Sequence, residues 1–348
     1  MAKRPTKSKP KTKKPKMQLV EALEFIKGVQ KAGFSTDAKE TNCRLANGYA
    51  VGFNGVVTMG YPILEDLNAC PHTYNLLAAL KRCKGSMSLT QLDMHQLVVT
   101  SGKFRAVVPC LNPSAIPYSV PDQQVGVIGD TIKQGFATLS GVVSKSGFST
   151  LETSVLLRDN TMVATDRSII VEYWHGVRLD PERPLVIPID VVAVLAKLSS
   201  PLVGIGVGVG SVTFYCENGA WIKTQTYNEK WPNVDDLLNK GDHHKAIPIP
   251  LELFEAVDAV TPFTSNVKDG VATSSNTFYL VGNVVSSHLQ STIGATHEID
   301  VDTEQKACYL TKHMAYLKDK VDKIDYGNDR ASYVFGNNIR AVVGKYKF

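Results

Sequence analysis

With 348 residues, 43% of them hydrophobic and 20% charged, the chain has the make-up of a soluble globular protein and the length for two or three cores. No apolar run approaches the ~18–20 residues that cross a bilayer, and the Lys-rich start has no apolar segment behind it, so neither a membrane span nor a secretory signal is expected. The net charge of +5 is uneven: eight basic residues and no acid fall in MAKRPTKSKPKTKKPK, residues 1–16, and without them the remainder carries −3.

That basic stretch comes first in chain order. Prolines at 5, 10 and 15 and the lack of apolar residues after Ala2 forbid a core, so residues 1–16 read as a disordered arm. Such an arm either touches nucleic acid or another polyanion weakly, or serves only as a solubilising or targeting tail.

From residue 17 onward one order of elements occurs three times, with a period of about 115 residues. The first repeat opens with LVEALEFIKGVQKAG, where Leu19, Leu23, Ile26 and Gln30 step along one helical face and Ala22, Phe25 and Val29 widen the stripe. A strand pair follows in CRLANGYAVGFNGVVTMGY, turning at Asn47-Gly48, then a helix in HTYNLLAALKRC. The repeat closes with HQLVVTSGKFRAVVP, which turns at Ser101-Gly102. After the turn-rich NPSAIPYSVPDQQ the order returns: helix TIKQGFATLSGVVSKSG, strands SVLLRDNTMVATDRSIIVEYW about Asp159-Asn160, helix IDVVAVLAKLS, and strands SVTFYCENGAWIKTQTY about Asn218-Gly219. Past NKGDHHKAIPIP it returns again: helix PLELFEAVDAVTPF, strands VATSSNTFYLVGNVVSSHL about Ser275-Asn276, helix YLTKHMAYLKDK, and strands ASYVFGNNIRAVVGKY about Asn337-Asn338. The expected class is α+β, in three tandem domains at 17–120, 121–241 and 242–348. Each should lay both its helices on one face of an antiparallel sheet.

Catalytic signatures are missing. GIGVGVG (204–210) runs on into strand instead of opening a helix, and there is no H-E-x-x-H, no G-x-S-x-G and no paired Cys/His spacing. The six cysteines form no C-x-x-C pair and read as reduced core thiols, and His243-His244 reads as solvated linker. No enzyme, metal or cofactor is expected. One stretch remains open: in MVATDRSIIVEYW (162–174) the pair Asp166-Arg167 interrupts a strand, as an acid–base group, a solvent-facing step, or part of a docking surface.

From residue 17 to the end, this order of elements resembles the DNA polymerase sliding clamps of the bacterial beta-subunit type. Ala164, Thr165 and Asp166 resemble that family's Ala-Thr-Asp-Gly-His-Arg-Leu stretch. Trp231-Pro232-Asn233 resembles its exit into the third domain, and TSGKFRAVVP its first-domain R-S-G-R…P segment. The resemblance implies half of a six-domain ring: a head-to-tail homodimer around double-stranded DNA that tethers DNA polymerase and a clamp loader. It implies the cytoplasm, or the host cytoplasm for a bacteriophage member. The alternative is a non-ring DNA-binding scaffold of the same fold.

The DNA-facing candidates are the basic residues on or just after the helices: Lys27, Lys31, Lys81, Arg82, Lys84, Lys133, Lys145, Lys197, Lys268, Lys312, Lys318 and Lys320. Taken singly, each also reads as a solvated helix residue. Thr73 and Asp190 stand where the family tends to place a basic residue. The resemblance also implies an apolar pocket for short partner motifs, built by Leu151, Thr165, Arg167, Ile169 and Ile170 with Val342, Val343, Tyr346 and Phe348. Asp166-Arg167 would then mark its polar rim, with no proton to transfer. Arg167-Ser168-Ile169 in place of Gly-His-Arg implies an altered motif.

Overall fold

The computed structural model describes residues 15–30, 37–116, 119–144, 146–179, 184–268, 271–274, 276–289 and 294–347. Six helices stand where the repeats place them: α1 (Pro15–Ile26), α2 (Thr73–Arg82), α3 (Asp130–Leu139), α4 (Ile189–Leu195), α6 (Leu251–Val260) and α7 (Thr311–Leu317). A short α5 (Asp235–Leu238) lies between the second and third repeats. α1 starts at Pro15, two residues inside the stretch read as tail, because proline is tolerated in a first helical turn whose N–H needs no partner. Leu19, Ala22, Leu23 and Ile26 form its fully buried stripe. Among the described residues no helix is long and apolar enough to cross a membrane.

The chain divides into two compact units, residues 1–129 with 198–225 and residues 130–197 with 226–348. The first unit holds a seven-stranded antiparallel sheet in the order Arg44–Ala46, Tyr49–Phe53, Val57–Pro62, Trp221–Gln225, Ser211–Cys216, Leu202–Val207, Gln124–Val127. Its first hairpin turns at Asn47 and Gly48, with φ 52° and 74°, the left-handed pair that a two-residue turn requires. The strand Val57–Pro62 of the first repeat pairs with Trp221–Gln225 of the second, setting Trp221 opposite Gly60. Trp221 is buried, and a Cβ on Gly60 would stand 2.2 Å from its ring, so only glycine fits. Gly60→Ala is expected to cost about 1–3 kcal/mol or more in urea unfolding, because a rigid buried indole must shift. A second sheet runs Cys70–Pro71, Phe104–Leu111, Gln96–Ser101, Ser88–Asp93.

The second unit holds an eight-stranded sheet in the order Leu185–Pro188, Ser154–Leu157, Thr161–Thr165, Ile169–Trp174, Ile339–Gly344, Ala331–Phe335, Lys323–Asn328, Ile247–Pro248. Here too the sheet crosses a repeat boundary, through Ile169–Trp174 against Ile339–Gly344. A four-stranded sheet runs Thr296–Glu298, Val284–Ser286, Thr277–Val281, Lys306–Leu310, and Ser265–Lys268 pairs with Val271–Ser274 as a separate hairpin.

Two expectations need correcting. Both helices of a repeat share one sheet in the second and third repeats, where α3 and α4 cover the eight-stranded sheet and α6 and α7 the four-stranded one. In the first repeat α1 packs on Tyr49–Phe53 and Val57–Pro62 while α2 packs on Phe104–Leu111, a strand of the other sheet. The hairpin assigned to Ser275-Asn276 turns instead at Gly282-Asn283, with Gly282 at φ 61°, since Thr277–Val281 pairs with Val284–Ser286. Ser275 lies outside the described residues.

Candidate functional site

In the apolar run Ile169-Ile170-Val171 of the eight-stranded sheet Ile169 and Val171 are buried and Ile170 half-buried, and the register decides which residue faces which way. Ile170 stands opposite both Thr165 and Val342, and Ile169 opposite Val343. Successive strand residues point to opposite faces. Ile170 and Val342 share a cluster with Leu156, Val163, Val186 and Tyr333, covered by Trp231, Val234 and Leu238. Leu151 packs against the same cluster, half-buried. Ile169 and Val343 are both buried and turned to the other face, where α3 packs. Of the pocket residues named from sequence, Ile169 and Val343 therefore do not line a slot beside Ile170.

The segment 231–238, in which Trp231-Pro232 followed by Leu237-Leu238 is an apolar signal ahead of the third repeat, is absent from the pocket residues named from sequence. It supplies the cover. Beside it a cavity of about 380 Å³ opens between Leu156 and Val186 on the sheet and Trp231, Pro232 and Val234 on the cover, with Arg158 and Asp235 as polar lining.

The turn between the strands Thr161–Thr165 and Ile169–Trp174 is built around Asp166. Its Oδ1 accepts from the amides of Ser168 (2.9 Å) and Ile169 (3.0 Å). Its Oδ2 meets Lys312 Nζ and His313 Nε2 (3.0 Å), at the start of α7. Burial alone would raise the Asp166 carboxyl, but the His313 and Lys312 side chains and the Ser168 amide outweigh it and hold the group well below the usual carboxylate range. The strand interruption is thus an ionised turn anchor. Thr165 spends its hydroxyl inside the same turn, donating to Ile169 O (2.7 Å) and accepting from the Arg167 amide (3.0 Å).

Arg167 takes φ 72°, the left-handed region where the resembling stretch has glycine. Its guanidinium pairs with Glu152. Tyr346 is tied to the same turn: its hydroxyl shares a hydrogen bond with Ser168 Oγ (3.0 Å), and its amide donates to Cys308 O (2.9 Å). Sequence reasoning did not find Glu152 or His313, since each is defined only by a partner brought to it by the fold.

The basic residues on the helices are less free than their number suggests. Lys27 and Lys81 both pair with Glu24, Lys133 with Asp130 (3.2 Å), Lys318 with Asp258 (2.7 Å) and Lys312 with Asp166. Lys320 lies over the Tyr316 ring, 4.6 Å from its centre. Arg82, Lys84 and Lys197 are exposed and form no salt bridge among the described residues. Lys31, Lys145, Phe348 and the arm through residue 14 lie outside the described residues, as does the side chain of Lys268. Thr73 is fully buried at the start of α2. All six cysteines are buried and unbridged, and burial pushes the Cys43 thiol up to about 12. Among the described residues no group of His, Cys, Asp or Glu could hold a metal ion.

The fold is that of the bacterial DNA polymerase sliding clamps. The DNA polymerase III subunit beta of Pseudomonas aeruginosa is similar at a TM-score of 0.77 and 12% identity, over 96% of this chain and 98% of that one. The beta subunit from Streptococcus pyogenes is similar at 0.76 and 13%, over 96% and 99%. The DNA polymerase sliding clamp of Bacillus subtilis is similar at 0.74 and 14%, over 96% and 98%. No protein-family model and no curated protein matches the sequence.

Proposed function

We propose that this chain is a DNA sliding clamp, a non-enzymatic processivity factor that closes head to tail with a second copy around duplex DNA. The observation that carries the reading is the likeness in fold to bacterial clamps over 96% of the chain. Three domains, at 17–120, 121–241 and 242–348, would each present one helix pair to DNA: α1 with α2, α3 with α4, α6 with α7. The four-stranded sheets end in the exposed strands Ser88–Asp93 and Thr296–Glu298, whose unpaired edges suit closure between copies. The slot at Leu151, Ile170 and Val342 would take short apolar motifs of a DNA polymerase and a clamp loader in turn.

A ring needs no tight grip on DNA. Non-specific phosphate attraction, with a Kd of roughly 10⁻⁴–10⁻⁶ M at physiological salt, permits sliding while topology prevents escape. Arg82, Lys84 and Lys197 supply such contact. Lys27, Lys81, Lys133, Lys312 and Lys318 share their charge with acids, which keeps it weak. The basic arm would add contact at the edge of the ring.

Threading onto a linear duplex tests this. The protein is incubated with biotin-ended DNA, the ends are blocked with streptavidin, and retention is followed through a high-salt column. Retention only when both ends are blocked is expected, together with a solution mass of twice 38.0 kDa. Deleting residues 1–16 should weaken binding to open DNA and lower its salt dependence, yet leave retention on blocked DNA unchanged. Equal loss from blocked and open DNA would instead favour the non-ring scaffold.

A further inference from the structure

A cavity of about 350 Å³ opens on the seven-stranded sheet of the first unit, lined by Phe53, Val56, Thr58, Val209, Lys223 and Gln225 among others. Strand register builds its floor. Phe53 stands opposite Thr58, Thr58 opposite Lys223, Lys223 opposite Thr213, and Thr213 opposite Gly206. Residues directly opposite share a face, so this row points one way, while the next row, Val57, Thr224 and Val212, is buried on the other. Residues 122–123 lie across one end of the row, and the run GIGVGVG makes room for them. A Cβ on Gly206 would stand 2.6 Å from Asp122 O, and one on Gly208 2.4 Å from Asp122 Oδ1. Asp122 is saturated there: Oδ1 accepts from Lys223 Nζ (2.9 Å) and Ser211 Oγ (2.9 Å), and Oδ2 from Thr213 Oγ1 (2.9 Å). Lys223 gives a second proton to Val120 O (2.9 Å) and keeps a third. The Thr58 hydroxyl across from it makes no hydrogen bond among the described residues. Above these two donors the walls are apolar, with Phe53 half-buried and Val56 and Val209 exposed at the lip. Asn54 Oδ1 fixes one lip by accepting from the Val56 and Val57 amides (3.0 and 2.8 Å).

We propose that this cavity binds a carboxylate carried on a short apolar body, either a small aliphatic acid or the last residue of a peptide chain. The proposal does not rest on the clamp reading, since every residue it uses belongs to one compact unit. An ammonium and a hydroxyl with protons to give, beside an acid whose oxygens are already taken, select a head that only accepts. Phe53, Val56 and Val209 select an apolar body behind that head. Inorganic phosphate would use the donors and leave those walls uncovered. In the eight-stranded sheet the corresponding row is Thr165, Ile170, Val342 and Tyr333, which holds no cation and would not share the preference.

Ligand-observed NMR titration of the full-length protein tests it. Isocaproate against isocaproamide probes the head group, and Gly-Gly-Gly-Leu with a free or an amidated C-terminus probes the source. At least one acid should bind about 3-fold tighter than its amide, the size of an ion pair near the surface, with the gap narrowing at high salt. Lys223→Gln should close the gap. Because that change also takes a partner from Asp122, Val209→Glu at the exposed lip gives a second check: it should weaken the acids and spare the amides. A preference shown by isocaproate alone assigns the cavity to small molecules, and one shown by the peptide alone assigns it to chain ends. Equal affinity of each acid and its amide, binding of neither acid, or acid binding that either variant leaves unchanged overturns the proposal. So does displacement of the acid by an equal concentration of inorganic phosphate.

Discussion

Glu172→Ala should destabilise the protein by about 3–5 kcal/mol, because it removes the buried carboxylate that two largely buried guanidinium groups share. Glu172 is 2% exposed in the strand Ile169–Trp174, directly across from Arg340. Its Oε2 accepts from Arg340 Nε (2.7 Å) and its Oε1 from Arg158. Arg158 reaches on to Asp235 at the start of α5 (2.7 Å), and Arg340 to Asn239 just past its end (3.0 Å). The Arg340 guanidinium also lies 4.9 Å from the centre of the Trp174 ring. One carboxylate thus joins strands from the second and third repeats to the short helix that helps cover the slot. Urea unfolding checks the value. Glu172→Gln, which keeps an acceptor oxygen for one arginine but removes the charge and the other acceptor, should fall between wild type and Ala. A loss under ~1 kcal/mol for Ala would mean that water already screens these arginines.

Asp166→Ala should cost about 2–3 kcal/mol at neutral pH, the range for hydrogen bonds made by a charged group. It removes the acceptor of two turn amides and the partner of Lys312 and His313. The pH dependence has a definite sign. The folded-state pKa is depressed, so the stabilisation is fully present above the unfolded-state value of about 3.9 and is lost as pH falls through the folded one. The gap between wild type and Ala should therefore hold constant from neutral pH to about 5 and close on further acidification. Asp166→Asn keeps an oxygen for the turn amides and should lose less. A gap that instead widened below pH 4 would mean that the carboxylate is not the stabilising form.

Much of the architecture was legible locally. The threefold order of helices and hairpins, the left-handed turn at Asn47-Gly48 and the apolar stripe of α1 follow from periodicity and turn chemistry, which act over a few residues. The slot was legible in part. Leu151, Ile170 and Val342 do come together, but a run apolar on both faces carries no sign of which neighbour faces out, so Ile169 and Val343 could be separated from Ile170 only by strand register. Asp166 reads as an acid–base group, a solvent-facing step or part of a docking surface until α7 delivers Lys312 and His313 from almost 150 positions away. The same holds for the helix lysines: residue type announces a charge, but whether that charge is free depends on an acid which folding brings alongside. Sequence by itself determined the elements, their order and their turns, since these depend on steric and hydrophobic preferences of near neighbours. Strand pairing across repeats, the choice of outward face and the neutralisation of charge were decided by tertiary structure, since each is an interaction between residues that only the folded chain makes neighbours.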